Sequence, residues 1–280
     1  MYPTLDSIPL LRSRRMDLEW ARDVAVRAAH RGGRVILDAT TPTEAGAKGR
    51  PGDWVTEVDL ASERAIAALL TQETPGIPLV GEESGGRSAE RYWLVDPLDG
   101  TTNFMHGFPV IGVSVALVVE GRPAAGCVHA PFLAETFAVA RGSGSYRWKG
   151  SGEDPPSVVE VADRSPAQAI VATGFPFRHK ENLPRYLSVL GEALELFEDL
   201  RRPGAATLDL AWSASGIFDG FFELGLAPWD VAAGALLIEE AGGRVTDWTG
   251  GPDILSGDIL AGSPAIHEAL LQLVNRLRRS

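Results

Sequence analysis

The sequence predicts a layered α/β fold (α+β), and three observations carry that prediction. From Asp17 to about Ala39, the apolar positions Leu18, Ala21, Val24, Ala25 and Ala28 recur at helical spacing. Residues 110–119, 123–130 and 135–140 are consecutive runs rich in Val and Ala, the pattern of neighbouring strands in an antiparallel sheet. From about Ser165 onward, strand-like and helix-like runs alternate, as they do in an α/β layer. With 280 residues, 45% hydrophobic and 22% charged, the chain can bury a full core and is not expected to be disordered.

Taken in order, residues 1–15 show no periodicity and are expected to form a mobile arm. Asp17 is placed to cap the first helix. Residues 41–52, rich in Gly, Pro and Thr, read as a loop carrying Lys48. Residues 53–59 read as an alternating strand that ends in an acid ahead of a helical run at 60–72, and on that reading Asp59 is the N-cap. Residues 78–84 read as a short apolar strand that breaks at Gly81 into Glu82 and Glu83. Gly121, Arg122 and Pro123 form the turn between two antiparallel strands, and the Gly- and Pro-rich residues 142–157 read as a hairpin tip and loop. Gly142-Ser143-Gly144 lacks the third glycine and the parallel context of a nucleotide-binding turn. Further on, strands at 169–173 and 220–223 alternate with helices at 181–197, 207–215 and 229–241, the last ending at Gly242-Gly243. No repeat and no second core is visible. The expectation is one domain over 1–280, with an N-terminal α+β half at 16–163 and a C-terminal α/β half at 164–280.

Charge and composition narrow the function classes. A formal net charge of −11 opposes nonspecific attraction to nucleic acid or to an anionic membrane. The apolar run 108–119 is short of the roughly 20 residues a membrane helix needs and contains Pro109, Gly112 and Ser114. Arg12, Arg14, Arg15 and Asp17 are not followed by a long apolar segment with a small-residue cleavage site, so no secretory signal is expected. The single cysteine, Cys127, cannot form an internal disulfide and is read as a small core residue, which fits a cytoplasmic protein.

The chemistry concentrates in residues 93–104. Trp93, Leu94 and Val95 read as the end of a buried strand, followed by Asp96-Pro97-Leu98-Asp99-Gly100 and then Thr101-Thr102-Asn103-Phe104. The Asp-Pro-x-Asp-Gly pentad alone is also what a surface turn uses. Its flanks point elsewhere, because Pro97 stiffens the spacing of two carboxylates and Gly100-Thr101-Thr102 offers amides and hydroxyls at a helix start. Acids for cations beside amides for an anion suggest a metal-bound phosphate. Further acids stand at Asp59, Glu82 and Asp230, with no Cys or His cluster among them, and oxygen-only ligands favour hard cations such as Mg²⁺. The five histidines are scattered and read as structural or exposed. Asp230 is also what a helix N-terminus favours through its dipole.

This stretch resembles the signature of the inositol monophosphatase family of lithium-sensitive, Mg²⁺-dependent phosphatases. Lys48, Asp53, Val55, Thr56 and Asp59 fall in step with the family pattern, as do Gly81-Glu82-Glu83, Trp229-Asp230-Val231-Ala232-Ala233-Gly234 and Ala241-Gly242-Gly243. Residues 201–210 and 219–229 follow its bacterial branch. The resemblance implies an alternating α-β-α-β-α sandwich of the inositol monophosphatase/fructose-1,6-bisphosphatase type. It implies two or three Mg²⁺ per active site, with Glu82, Asp96 and the Leu98 carbonyl on one ion, and Asp96, Asp99 and Asp230 on a second. Thr101, bonded to Asp59, then polarises a metal-bound water, with Glu82 beside it, while Gly100, Thr101 and Thr102 hold the phosphate. Glu223 contacts a substrate hydroxyl near Gly204, Ala205 and Ala206, with Lys48 accessory and Asp53 structural. The implied substrate is a small phosphorylated polyol or sugar, most of all myo-inositol monophosphate, with fructose 1,6-bisphosphate or nucleotide 3′-phosphates as the alternative. The implied assembly is a homodimer, with no membrane and no nucleic acid. A bacterial relative with a similar C-terminal sequence is associated with RNA processing and transcription complexes, so a protein-binding role is the reading from another class.

Overall fold

In this computed structural model the described residues are 17–39, 45–47, 54–150, 155–177 and 179–277. The expected N-terminal arm, Lys48 and Asp53 lie outside them. Five layers alternate. Helices α1 (Leu18–Asp38) and α2 (Glu57–Glu73) cover one face of a seven-stranded sheet. That sheet comprises β3 (Leu79–Gly81), β4 (Arg91–Asp99), β5 (Gly112–Val119), β6 (Arg122–Ala130), β7 (Glu135–Ala140), β8 (Gly144–Lys149) and β9 (Ser157–Val158), in chain order and antiparallel except for the parallel pair β3–β4. Beyond it lie α5 (Ala206–Ala214) and α6 (Pro228–Glu240). A five-stranded sheet follows, built from β10 (Ile170–Thr173), β11 (Asp199–Arg201), β12 (Gly220–Glu223), β13 (Arg244–Thr246) and β14 (Ile259–Gly262) in the order β11-β10-β12-β14-β13. Helices α4 (Leu183–Leu196) and α7 (Pro264–Leu277) close its far side. A small antiparallel pair, β1 (Ala45–Ala47) and β2 (Trp54–Thr56), precedes α2, and the short α3 (Thr101–Met105) follows β4.

The burial pattern explains the layering. Helices α5 and α6 are buried over almost their whole length, so they suit the layer between the two sheets and show little amphipathic periodicity. Strand β5 is likewise buried on both faces and reads as an unbroken apolar run rather than an alternating one. Apolar clusters fill each interlayer space: Trp93, Val113 and Val115 under α1 and α2; Leu208, Leu210 and Leu236 between the sheets; Val171, Phe222 and Leu260 under α4 and α7.

Several local expectations are corrected. The alternating strand stops at Thr56, and Glu57 to Asp59 already belong to α2. Thr56 is the N-cap, because its hydroxyl can accept from the Val58 and Asp59 amides. Asp59 is the third helical residue and closes a capping box by accepting from the Thr56 amide at 2.9 Å. The turn between β5 and β6 is Glu120-Gly121, both at positive φ (51° and 76°), and Arg122 and Pro123 are already strand. The expected loop at 142–157 contains β8 and β9, since Ser145 and Tyr146 pair against Val139 and Ala138 despite the glycines around them. Asp17 does cap α1, accepting from the Glu19 and Trp20 amides. Cys127 is fully buried, and burial pushes its thiol pKa up. Among the described residues, no helix is long and apolar enough to cross a membrane.

Candidate active site

The acids of the central motif stand on β4 itself, where the register against β5 shifts between Asp96 and Asp99. Asp96 and Asp99 thus share one strand, and with Asp59 on α2, Glu82 after β3 and Asp230 on α6 the five acids come from four elements. Asp96 is 1% exposed. It accepts from the Leu98 amide at 3.0 Å, an Asx-type bond that holds the carboxyl over its own turn. Asp99 is fixed from the middle layer: the Thr207 amide and hydroxyl at the start of α5 both donate to its Oδ2 at 2.7 Å. Asp230, in the first turn of α6, reaches back to accept from the Ala227 amide at 2.8 Å. Ser114 of β5 donates to the Trp229 carbonyl at 3.1 Å and so ties that helix start to the sheet.

Glu82 follows β3, and its turn is anchored by a residue the sequence did not single out. Glu63 of α2, 4% exposed, accepts from the Glu83 and Ser84 amides at 2.8 Å each. A Cβ at Gly81 would stand 2.4 Å from that carboxylate, which is why glycine occupies the end of β3.

Thr101 opens α3 behind Gly100, whose φ of 93° is left-handed and whose missing Cβ leaves room for the Val110 carbonyl. The Thr101 hydroxyl donates to Asp59 Oδ1 at 3.0 Å and lies 3.3 Å from the Leu98 carbonyl. Its proton is therefore directed away from the cleft, leaving oxygen lone pairs to face it. Asp59 itself has a raised pKa, chiefly from burial, offset by the hydrogen bonds from Thr56 and Thr101.

One cleft of about 440 Å³ brings these residues together. Glu82, Asp96, Leu98, Asp99, Gly100, Thr101, Thr102 and Asp230 line it, with Glu223, Gly204, Ala205 and Ala206 also on its walls. Asp59 stands behind Thr101 and is not part of the lining. Residues missed in the sequence also line it: Trp54, Asp209, His179 and Arg202, whose guanidinium lies 5.6 and 5.5 Å from the ring centres of Phe175 and Phe177. Of the five histidines, read from the sequence as structural or exposed, His179 is on the cleft wall. Away from the cleft, the tilted rings of His30 and His129 lie 4.4 Å apart, both within hydrogen-bond distance of the Thr136 hydroxyl.

The charges bear on a metal. Burial first, then Glu82, Asp99 and Asp230, push the Asp96 pKa well up, and Asp96 and Glu82 share a hydrogen bond. Three acids thus surround a fourth, buried carboxyl and oppose its charge, a donor set of oxygens that fits a hard divalent cation. Among the described residues, no three such side chains already stand in a ligating geometry, and each of Asp96, Asp99 and Asp230 gives an oxygen to a backbone amide. Ligation would need their outer torsions to turn, which the broad terminal wells of carboxylates allow.

Comparison with known proteins agrees with this fold. The sequence profile of the inositol monophosphatase family matches residues 17–279. The Nus factor SuhB of Escherichia coli (strain K12) is 42% identical over 260 residues, covering 89% of this chain and 93% of that protein. The Nus factor SuhB of Pseudomonas aeruginosa is 40% identical over 270 residues, covering 90% and 94%. Among solved structures, the inositol monophosphatase of Anabaena (Nostoc) superimposes with a TM-score of 0.80 at 32% identity, covering 93% of this chain and 97% of that one. The extragenic suppressor protein suhB of Bartonella henselae gives 0.82 at 36% identity, covering 91% and 98%. With the profile spanning nearly all of the chain, and the five-layer fold and acid-lined cleft in place, this protein belongs to the inositol monophosphatase family.

Proposed function

We propose that this chain hydrolyses a small phosphate monoester of a polyol, most of all an inositol monophosphate, with Mg²⁺ as cofactor. The observation that carries the reading is the cleft in which Asp96, with Glu82, Asp99 and Asp230 around it, stands beside Thr101 and shares one space with Glu223. Bound Mg²⁺ would supply charge stabilisation of the phosphoryl group and of the departing alkoxide, held by Glu82, Asp96, the Leu98 carbonyl, Asp99 and Asp230.

The chain's own groups then have separable roles. The Thr101 hydroxyl accepts a proton from the attacking water while handing its own toward Asp59, whose burial keeps it basic enough to draw on that bond. The amides at Gly100 and Thr101 face the phosphate oxygens at the start of α3, with Thr102 beside them. Glu223, at the end of β12, accepts hydroxyls of the alcohol portion, with Gly204, Ala205 and Ala206 leaving room beside it. Attack by water needs no covalent phosphoenzyme.

The test is phosphate release from inositol phosphates, fructose 1,6-bisphosphate and nucleotide 3′-phosphates, with and without Mg²⁺, and with lithium against a sodium control. Release from inositol phosphate that needs Mg²⁺ and falls in lithium supports the reading; no release from any ester under any condition removes it. The second reading is favoured by the SuhB relatives, each called a Nus factor. On it the chain would bind a protein of a transcription complex, and Asp96→Asn would leave that binding intact while removing hydrolysis.

A further inference from the structure

The cleft contains an acid that no step above uses. Asp209 lies in the first turn of α5 and is 1% exposed, yet it lines the cleft together with Glu223, Arg202 and Gly204. Its Oδ1 is enclosed without a hydrogen-bond partner. The helix start does not satisfy it: the Thr207 amide donates to Asp99, and the Leu208 and Asp209 amides donate to the Ala205 carbonyl. A first-turn acid is favoured by the helix dipole. That explains an aspartate bonded to the free amides, not one whose Oδ1 is enclosed without a partner. Burial, then Glu223 and Asp99, push the Asp209 pKa well up, and Arg202 opposes them. A buried carboxyl left unpaired beside another acid is a cost to the free protein, and such cost is tolerated where a ligand removes it.

The alcohol end of the cleft therefore presents two carboxyl groups, Glu223 and Asp209, on neighbouring walls. A hydroxyl both donates and accepts, so adjacent hydroxyls on one ring can engage both groups and each other. An aryl group can do neither. The broad terminal torsion of an aspartate lets either oxygen turn to a ligand. We propose that Asp209 is a specificity-determining residue, which together with Glu223 binds adjacent hydroxyls of the substrate and selects polyhydroxylated phosphate monoesters over aryl phosphates. This rests on the hydrolytic reading given above. Sites built to hydrogen-bond a substrate hydroxyl discriminate strongly against analogues that lack it, because their own polar groups are then left unpaired.

The experiment compares wild type, Asp209→Ala and Asp209→Asn in the full chain with Mg²⁺, using inositol 1-phosphate and 4-nitrophenyl phosphate, and adds thermal melts. The expected result is that the ratio of kcat/KM for the polyol ester to that for the aryl ester falls at least tenfold in Asp209→Ala, through KM. In Asp209→Asn the ratio recovers in part, because the amide keeps one acceptor oxygen. The Asn variant is also expected to melt at or above wild type, since no protein donor is lost with the charge. A ratio that changes less than threefold, or an Asn variant that melts lower while both substrates suffer equally, makes Asp209 a scaffold residue and overturns the proposal alone. Wild type that hydrolyses the aryl ester but no polyol ester, or neither ester, overturns both this proposal and the function it rests on.

Discussion

The relay Thr101–Asp59 is the residue-scale feature with the sharpest kinetic signature. Its 3.0 Å bond points the threonine proton away from the cleft, so replacing Thr101 by Ala removes the acceptor for the attacking water but no group assigned to the cation. The expected outcome is a fall in kcat of roughly 10²-fold or more, with Mg²⁺ dependence shifted only a few-fold, read from steady-state rates over a magnesium titration. Unchanged kcat would remove Thr101 from the chemistry. Glu223 permits a second test, because Gly174 lies under it: a Cβ there would stand 2.0 Å from Glu223 Oε1. Gly174 has no positive φ, so Gly174→Ala should displace the glutamate side chain and leave the backbone in place. It should reproduce the rise in KM for inositol phosphate expected of Glu223→Ala, while both variants spare an aryl phosphate. Equal losses on the two substrates would place Glu223 in the scaffold. The motif residues were legible because Asp96, Asp99 and Thr101 are close in sequence and surrounded by an unusual pattern. Glu63, Thr207 and Asp209 were not, because each is an ordinary helix residue until the fold brings another element against it.

Among the elements, helix α1 contradicts local propensity. Adjacent glycines in a helix interior each cost about 1 kcal/mol relative to alanine, yet α1 keeps Gly32 and Gly33, both buried. A Cβ on Gly32 would stand 2.7 Å from Ile66 of α2, and one on Gly33 would stand 2.5 Å from the His129 ring of β6. Close approach decides the residue, not helix propensity, and Gly33→Ala is expected to lower the melting temperature despite the better helix former. His129 also sets a pH dependence. Burial, with His30 adding to it, lowers the His129 pKa to about 4, while the Glu135 carbonyl acts the other way. The unfolded chain protonates near its ordinary value of 6.5 and the folded one does not, so the unfolded state holds more protons between those two values. Stability should therefore fall as pH drops from about 6.5 to 4, by an upper limit of about 3 kcal/mol for this residue. His129→Gln should flatten that limb in melts from pH 7 to 4. An unchanged slope would assign the acid sensitivity to other groups. Element type was readable from the helical spacing of α1 and from the long apolar runs of β5 and β6. The strands Asp199–Arg201 and Arg244–Thr246 have three residues each, too few for any alternation to appear. The closing helix, Pro264–Leu277, went unread although Ile266, Leu270, Leu273 and Val274 bury one face at helical spacing.

At the scale of the whole molecule, three layers deliver acids to one cleft: β4 and the end of β3 in the first sheet, the starts of α5 and α6 in the layer between the sheets, and β12 in the second sheet. The fold must therefore hold together a set of charges that repel. Two unit charges about 5 Å apart at an effective dielectric near 20 oppose each other by about 3 kcal/mol. Asp96 experiences most of this, being fully enclosed and raised by Glu82, Asp99 and Asp230 after burial itself. Asparagine at 96 keeps the carbonyl oxygen that accepts from the Leu98 amide, and removes the charge. Its amide can also donate to Glu82, with which Asp96 forms a hydrogen bond. Metal-free Asp96→Asn is therefore expected to melt higher than wild type, by a few degrees for each kcal/mol relieved. In wild type, Mg²⁺ at a hundredfold above its Kd adds about 2.7 kcal/mol per site by mass action, a large part of a typical stability of roughly 5–15 kcal/mol. On the proposed function the Asn variant lacks a ligand, so it should gain less from magnesium and show no phosphate release. Thermal melts of both proteins in EDTA and in magnesium separate the alternatives: a variant that melts lower than wild type in EDTA would mean that the Leu98 and Glu82 bonds stabilise the carboxyl by more than its neighbours' charges oppose it.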